Sequence, residues 1–239
     1  STSVMSIGGN AVPSATQKLE YGFYCVGAWG MGGNLQTSRC DLAGAGTDTA
    51  ALAFGGNNCS TCTEQYDGAT WSGSGGLING RYGLAGAGTQ NAAAAFGGYD
   101  NQPSQVAFTE EYDGATWAAG GALSIARSGL AGFGTQNAAL AAGGEPSSKT
   151  ATEEYNGTSW SPGGALITGR DGVVGAGTQN AGLAYGGSAP SISSATEEYN
   201  GSAWATGGNL NTARLQISKG FGTQNAAIAA GGSTGSETC

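Results

Sequence analysis

The stretch "GTQNAALAAGGEPSSKTATEEYNGTSW", from Gly134 to Trp160, decides the fold because most of it recurs elsewhere in the chain. Its first part returns as "GTQNAAAAFGG" from Gly88 and as "GTQNAGLAYGG" from Gly177, and its last part returns as "TEEYDGATW" from Thr109. Self-similarity at a fixed period is the signature of an architecture in which one small unit is stacked or arrayed.

Tryptophan marks the period of the repeat, because the five tryptophans lie 42 to 46 residues apart. Each has a tyrosine five residues before it and an arginine ten residues after it. The two series are Trp29, Trp71, Trp117, Trp160 and Trp204, followed by Arg39, Arg81, Arg127, Arg170 and Arg214. The unit is therefore about 44 residues long, and its length varies only between a glycine pair and the next tyrosine.

Each unit carries the signals of two hairpins. In "GLAGAGTQNAAAAFGG", from Gly83, two runs of small apolar residues flank a polar turn. In "TEEYNGTSW", polar and aromatic residues alternate around Asn156 and Gly157, a pair that tolerates the positive φ at both positions of a type I′ turn. No stretch shows helical apolar spacing, and glycine supplies 47 of 239 residues, so four short antiparallel strands are predicted per unit.

Four short strands in about 44 residues are typical of a β-propeller blade. A linear solenoid is the alternative, but its repeats are mostly shorter and its ends need polar capping units. We therefore expect an all-β chain in which residues 1–239 form a single β-propeller with four-stranded antiparallel blades. The element count predicts five blades, with six as the alternative, and a ring closed by N- and C-terminal strands that share a blade.

The order of glycine pair, tyrosine, tryptophan and arginine resembles the kelch repeat. The chain departs from it where Asp-Gly or Asn-Gly replaces Asp-Pro after the tyrosine, and where its strands are richer in alanine and glycine. The combination of the segments "GTQNAALAAGG" and "TEEYNGTSW" is similar to kelch-type arrays in bacteriophage virion or tail-fibre proteins and in surface proteins of environmental bacteria. This resemblance implies a propeller with an extracellular or virion-surface location.

Composition excludes several function classes. The chain has 8 basic and 16 acidic residues and a net charge of −8, which argues against nucleic acid as a partner. No run of 18 apolar residues predicts a membrane span. Histidine is absent, which removes Ser-His-Asp and Cys-His catalysis and imidazole ligation of metals. We therefore predict no catalytic residue, no cofactor and no metal.

The remaining charged residues follow the repeat. Adjacent glutamates such as Glu153 and Glu154 point to opposite faces of a strand, so they do not form a catalytic dyad. They are predicted to form ion pairs or backbone contacts between blades, with the repeat arginines as partners. The repeated Thr-Gln-Asn is either ordinary turn chemistry or a ring of amides on one face. A sialidase-like glycan-active enzyme is the less favoured alternative, because all five repeat arginines occupy one blade position.

The five cysteines, Cys25, Cys40, Cys59, Cys62 and Cys239, interrupt the repeat. We expect a bridge from Cys40 to Cys59 or Cys62, and a bridge from Cys239 to Cys25 that fastens the ends of the ring. A structural zinc site would need four converging thiolates, whereas the chain has one Cys-x-x-Cys pair. Disulfides would place the protein in an oxidising environment.

Length variation confined to one loop per unit predicts a non-catalytic recognition or structural module that binds through loops on one propeller face. The longest internal loop runs from Tyr99 to Phe108 and combines an aromatic ring with amides. Its candidate ligand-binding residues are Tyr99, Asp100, Asn101 and Gln102. The expected partners are a surface glycan or other protein subunits, and a purely architectural subunit of a phage particle or filament is the alternative.

Overall fold

The computed structural model describes the parts of the chain that build the sheets, and these parts contain strands and turns without a helix. The described residues are 4–7, 16–21, 27–57, 61–102, 104–146, 149–215 and 218–235. Within these ranges no helix has the length and apolar character needed to cross a membrane.

Four sheets of four antiparallel strands form the body of the fold. Sheet 2 contains β4 (Ala43–Gly46), β5 (Ala51–Phe54), β6 (Thr63–Tyr66) and β7 (Trp71–Ser74). Sheet 3 contains β8 (Ala85–Thr89), β9 (Ala92–Phe96), β10 (Thr109–Tyr112) and β11 (Trp117–Ala119). Sheet 4 contains β12 (Ala131–Thr135), β13 (Ala138–Ala142), β14 (Thr152–Tyr155) and β15 (Trp160–Pro162). Sheet 5 contains β16 (Val174–Thr178), β17 (Ala181–Tyr185), β18 (Thr196–Tyr199) and β19 (Trp204–Thr206).

Two partial sheets lie at the ends of the chain. Sheet 1 has three strands, β1 (Val4–Ile7), β2 (Thr16–Tyr21) and β3 (Gly27–Met31), and sheet 6 has two, β20 (Ser218–Thr223) and β21 (Ala226–Ala230). The fold is a β-propeller, as predicted. The terminal strands β1 and β20 contact each other, as the predicted closure of the ring by N- and C-terminal strands requires, and in the described residues they are not hydrogen-bonded into one sheet.

The first strands of successive sheets line the axis, since β4, β8, β12, β16 and β20 contact one another in that order. Their small residues make this convergence sterically possible. At Gly86 a Cβ would lie 2.5 Å from Cζ of Phe54, and at Gly132 it would lie 2.8 Å from Cζ of Phe96. The Gly- and Ala-rich first strands therefore accommodate aromatic rings that project from the preceding sheet.

The hairpin between the third and fourth strands forms, but not with the predicted type I′ turn. Tyr66 pairs with Trp71, so four residues connect the strands, and Gly68 has positive φ while Asp67 does not. The Asp67 carboxylate accepts the N–H groups of Ala69 and Thr70 at 2.8 and 2.7 Å, and these backbone bonds lower its pKa. The aspartate or asparagine thus stabilises an Asx turn through its side chain.

The N-terminal hairpin departs from the repeat. Trp29 lies in β3 and pairs with Leu19 of β2. The tyrosine five residues before Trp29 lies outside the described residues.

The core of the fold lies between sheets, where Trp117, Trp160 and Trp204 each pack on the preceding sheet. The Trp117 ring contacts Phe54 edge to face, with centroids 5.0 Å apart, and its Nε1–H donates to Thr63 Oγ1 at 2.9 Å. Trp160 makes the same two contacts one sheet further on, with Phe96 and Thr109. The tryptophan repeat therefore specifies the stacking of blades, in addition to marking their length.

A buried ion pair fixes each complete sheet to the connector that precedes it. The four pairs are Arg39–Glu64, Arg81–Glu110, Arg127–Glu153 and Arg170–Glu197. All four arginines are 0% exposed. The predicted partnership of arginine and glutamate is thus present, but each pair joins the connector to the third strand of the same sheet and does not bridge two blades.

The glutamate also holds the backbone of the connector. Glu110 accepts the N–H of Ile78 at 2.7 Å through one carboxylate oxygen and Arg81 Nη1 at 2.6 Å through the other. Arg81 donates in addition to the carbonyl of Ala95 on the second strand at 3.0 Å. Burial lowers the pKa of the Arg81 guanidinium, and Glu110 partly offsets this effect. Both carboxylate oxygens and both terminal nitrogens of the guanidinium are thus hydrogen-bonded, as a buried charge pair requires, whereas the buried Nε of Arg81 has no hydrogen-bond partner among the described residues.

We expect Glu153→Gln to lower the free energy of unfolding by about 3 to 5 kcal/mol, because it leaves the Arg127 charge buried without its counter-charge. Urea denaturation followed by tryptophan fluorescence measures this change. Glu198→Gln is the matched control, since Glu198 is an exposed carboxylate of the same motif, and its effect should stay within about 0.5 kcal/mol. Equal effects of the two substitutions would contradict the structural importance of the pair.

Alkaline pH should weaken the contacts between blades. Burial, assisted by the hydrogen bonds to Glu111 and Glu154, raises the pKa values of Tyr155 and Tyr199 to about 12. An unfolded tyrosine titrates near pH ~10, so the folded state holds these protons more tightly. The stabilising contribution is complete below that pH and is lost as the pH rises towards 12. Denaturation midpoints between pH 8 and 11.5 test this, and a constant midpoint would contradict it.

Candidate ligand-binding face

Two kinds of connection emerge on one face of the propeller, which we call the loop face. Antiparallel order puts the loops between second and third strands, and the connectors between successive sheets, on this face. The Thr-Gln-Asn turns lie on the opposite face. There Gln90 Nε2 donates to the carbonyls of Ala51 and Tyr66 of the preceding sheet at 3.1 and 2.6 Å. The repeated glutamine amides thus join blades, whereas the asparagines of these turns, Asn91, Asn137 and Asn180, are exposed.

Around the axis, two positions of every repeat meet on the loop face and form what we call the axial rim. One position follows the repeat arginine, and the other follows the glycine pair. Backbone pairing joins Tyr82 to Tyr99, Ser128 to Glu145 and Asp171 to Ser188, and the N–H of Asn57 donates to the carbonyl of Cys40 at 3.0 Å. The axial rim consists of Cys40, Asn57, Tyr82, Tyr99, Ser128, Glu145, Asp171, Ser188, Leu215 and Ser233.

Backbone hydrogen bonds connect the rim from one sheet to the next. The N–H of Gly83 donates to the carbonyl of Asp41 at 2.9 Å, and the N–H of Gly129 donates to the carbonyl of Gly83 at 3.0 Å. The scaffold is therefore nearly equivalent around the axis, whereas the rim side chains differ from blade to blade. The side chains therefore differ most at positions where the backbone is nearly the same in every repeat.

Tyr99 is the centre of the most elaborate contacts on the rim. Its ring stacks on Tyr82, with centroids 5.3 Å apart and an interplanar angle of 24°. Its hydroxyl donates to Glu145 Oε1 at 2.7 Å and accepts Gln105 Nε2 at 2.9 Å. Both rings are half-buried, so they are held in place by neighbours while part of their surface faces solvent.

The charges near the rim are mostly negative. Asp41, Glu145 and Asp171 supply carboxylates, and Lys149 supplies one ammonium group, which pairs with Asp171 and whose pKa this pairing raises. The hydrogen bond of Tyr99 with Ser128 lowers the pKa of the phenol, but the Glu145 carboxylate and burial together outweigh it, and the net pKa lies above the ordinary value. The rim therefore offers phenol rings, hydroxyls and carboxylates at neutral pH.

The predicted loop residues have different positions. Tyr99 lies on the rim, whereas Asp100 shapes the loop, because its carboxylate accepts the N–H groups of Gln102 and Ser104 at 2.8 and 3.1 Å. Asn101 and Gln102 are exposed on the loop face. Sequence reasoning missed Tyr82 and Glu145, which the fold brings to Tyr99. The sequence does carry a signal for them: the residue after the repeat arginine and the residue after the glycine pair change type from repeat to repeat.

Exposed apolar side chains also mark the loop face. Among the residues that the structure describes, three large hydrophobic side chains are exposed: Ile78 at 56%, Phe108 at 43% and Ile167 at 58%. Ile78 and Ile167 lie in connectors between sheets, and Phe108 ends the loop that begins at Tyr99. All three are on the face that carries the rim.

Cysteine chemistry differs from the prediction at one position. Cys40 is a free, half-buried thiol, so the bridge expected from Cys40 is wrong. Cys62 is not a free thiol, and Cys25, Cys59 and Cys239 lie outside the described residues. Within the described ranges, no three cysteine, aspartate or glutamate side chains converge as metal ligands.

Comparisons with known proteins identify the fold. No family model matches the chain, and no curated protein matches it. A solved structure described as the structure of YjhT is similar, with a TM-score of 0.79 and 14% sequence identity. The similarity covers 98% of this chain and 88% of that one. At this identity the similarity concerns the fold alone.

Glu145→Gln should lower the pKa of the Tyr99 phenol, because it removes the negative charge that disfavours the phenolate. NMR titration of tyrosines labelled with ¹³C at Cζ resolves this group from the other phenols. Tyr155, whose partner is Glu111, provides the internal control and should not change. A Tyr99 resonance that titrates identically in both proteins would contradict the contact.

Proposed function

We propose that this propeller is a non-catalytic recognition module that binds a neutral glycan at the axial rim of the loop face. The observation that carries the proposal is the group formed by Tyr82, Tyr99 and Glu145. Here a scaffold of nearly identical blades presents a chemically distinct combination of stacked rings and hydrogen-bonding groups. Binding residues are commonly placed on loops that a rigid scaffold positions.

The chemistry of the rim suits a sugar. Aromatic faces pack against the C–H groups of a pyranose, while hydroxyls and carboxylates exchange hydrogen bonds with its hydroxyl groups. Tyr99 is held in its rotamer by Tyr82 and Glu145, so little side-chain entropy is lost on binding. The carboxylates near the rim disfavour anionic ligands, which supports a neutral glycan over an acidic one.

The enzymatic alternative has weaker support. Tyr99 and Glu145 form the kind of pair in which a carboxylate activates a tyrosine nucleophile, a device that sialidases use. Here, however, the pKa of Tyr99 is raised, which disfavours the reactive phenolate. The four buried repeat arginines are each paired with a glutamate, so they are not available to hold the carboxylate of an acidic sugar.

The location of the module and its role in an assembly stay predictions of the sequence. An extracellular or virion-surface position, and a role as a subunit of a phage particle or filament, follow from the resemblance of the repeats and from loop variation. The exposed Ile78, Phe108 and Ile167 would suit a protein partner on the same face.

A glycan array followed by calorimetry on the best ligand tests the proposal. We expect a neutral oligosaccharide to bind, and Tyr99→Ala to weaken its binding at least about tenfold, equivalent to about 1.4 kcal/mol. Phe108→Ala is the matched control, since it removes an exposed aromatic ring of the same loop that lies outside the rim, and its affinity should change less than about twofold.

Three results would count against the proposal. These are an array without any bound glycan, equal losses for the two variants, or turnover of a sialidase substrate. Native mass spectrometry run in parallel reports whether copies assemble, and assembly without glycan binding would favour the architectural alternative. Thermal melts of both variants show whether a lost affinity reflects a folding defect, because Tyr99 also bonds to Glu145.

A further inference from the structure

The backbone adopts a left-handed conformation two residues after the repeat arginine, at a position that we call the inner ring. Glycine occupies it before sheets 3, 4 and 5, with φ of 61° at Gly83, 61° at Gly129 and 58° at Gly172. Before sheet 2 the residue is Asp41, with φ of 55°, and no other described residue except glycine has positive φ. A side chain costs free energy in this conformation because its Cβ approaches the following carbonyl oxygen. Asp41 therefore stands where the fold favours glycine.

The backbone contacts of the inner ring do not require a side chain. The carbonyl of Asp41 accepts the N–H of Gly83 at 2.9 Å, and the carbonyl of Gly83 accepts the N–H of Gly129 at 3.0 Å. An aspartate in one repeat and a glycine in the next thus make the same bond. The turn itself gives no reason for an aspartate at this position.

Gly83 shows where a side chain of the inner ring lies. A Cβ at Gly83 would lie 3.8 Å from Cδ2 of Tyr99 and 3.9 Å from Cβ of Ser128, with no other atom within 4 Å outside the neighbouring residues of the chain. Both neighbours belong to the axial rim. A side chain of the inner ring therefore lies between the residue after the glycine pair of its own repeat and the residue after the arginine of the next repeat.

One repeat earlier, the equivalent neighbours of Asp41 are Asn57 and Tyr82. The first contact is present, since Asn57 Nδ2 donates to Asp41 Oδ2 at 2.8 Å. Asp41 is exposed and Tyr82 is half-buried, so both present surface to solvent. The Asp41 carboxylate thus borders the stacked rings of Tyr82 and Tyr99 on the side of sheet 2, while Glu145 borders them on the side of sheet 4.

The polar atoms that remain free beside Asp41 are hydrogen-bond acceptors. Asn57 Nδ2 donates to Asp41 Oδ2 and also to Cys40 Sγ at 3.3 Å, which uses both of its N–H groups. Among the described residues, none donates to Asp41 Oδ1 or to Asn57 Oδ1. A carboxylate oxygen and an amide oxygen can accept hydrogen bonds but cannot donate them. The chemical complement of this group is therefore a ligand with hydroxyl donors.

A metal ion is the other occupant that acceptor oxygens bring to mind. Ca²⁺ takes about six to eight oxygen ligands, and Mg²⁺ needs near-octahedral coordination. Within the described ranges, no three cysteine, aspartate or glutamate side chains converge. One carboxylate and one amide oxygen beside aromatic rings fit the hydroxyl groups of a sugar better than they fit a cation.

We infer that Asp41 is a specificity-determining residue of the proposed glycan site, where its carboxylate accepts hydrogen bonds from hydroxyl groups of a sugar that packs on Tyr82 and Tyr99. The inference rests on the proposed function and deepens it, because it assigns free hydroxyl groups to the edge of the sugar that faces sheet 2. Residues held in sparsely populated backbone conformations cluster at ligand-binding sites, where binding outweighs their cost. Asp41 is such a residue.

Asp41→Gly is the decisive variant, because it supplies the residue of the neighbouring repeats. Its thermal midpoint should stay within about 3 °C of that of the unmodified protein, since relief of the left-handed strain offsets the lost bond to Asn57. The probe is the neutral oligosaccharide that gives the strongest signal on the glycan array, and calorimetry measures its binding. Its affinity should fall at least about tenfold, the effect of losing a hydrogen bond to a charged group.

Asp41→Asn separates the chemistry of the side chain from its shape. Asparagine has the same size and also tolerates the left-handed conformation, but it places a donor amide where the carboxylate has an acceptor. The affinity for the same oligosaccharide should fall at least about fivefold. Glu198→Gln is the matched control for net charge, because Glu198 is an exposed carboxylate outside the rim, and its affinity should change less than about twofold.

Analogues of the oligosaccharide that lack single hydroxyl groups test the contact from the side of the sugar. At least one monodeoxy analogue should bind the unmodified protein at least about fivefold more weakly than the parent sugar does. The same analogue and the parent sugar should bind Asp41→Gly equally well, because the interaction that the analogue removes is already absent. A purely structural role of Asp41 would not produce this coupling.

The outcomes separate this inference from the proposed function. If Tyr99→Ala weakens binding while Asp41→Gly and Asp41→Asn bind as tightly as the unmodified protein, the glycan site stands and the role of Asp41 is refuted. A thermal midpoint of Asp41→Gly that falls by more than about 6 °C would assign the aspartate to the fold and overturn the inference. An array without any bound glycan would overturn both.

Discussion

The buried pair between the repeat arginine and the glutamate of the third strand is the interaction on which the structure depends. Each pair ties the incoming connector to the third strand of its sheet, because one carboxylate accepts hydrogen bonds from both the guanidinium and connector N–H groups. Removing either partner would leave a buried charge unpaired, at a cost comparable with much of the stability of a domain. The repeat therefore retains both residues as a unit in every complete sheet.

The same pair connects the scaffold to the candidate site. The residue after the arginine is held at the axis because the arginine is immobilised, and it pairs through its backbone with the residue after the glycine pair. Tyr82, Tyr99 and Glu145 thus occupy positions that the scaffold fixes, while the identity of their side chains is free to change. A ring of rigid positions with variable chemistry is well suited to recognition, since preorganised side chains lose little entropy when a ligand binds.

The contacts between blades follow from a second shared rule. The tryptophan and tyrosine of one sheet bind the threonine, glutamate and glycine of the preceding sheet, as Trp160 and Tyr155 do at Thr109, Glu111 and Gly121. Such modular interfaces make stability roughly a sum over units and nearest neighbours.

The sequence by itself determined the all-β fold, the four-stranded unit, the small residues at the axis and the pairing of arginine with glutamate, because a period, a turn signal and steric size are local properties. It did not determine the turn type, since the Asp67 side chain stabilises a four-residue turn that the Asp-Gly pair alone does not distinguish from a type I′ turn. Only the tertiary structure decided that Tyr82 and Glu145 join Tyr99 and that Cys40 stays free. These facts depend on which distant residues the closing of the ring brings together, and periodicity carries no information about such contacts.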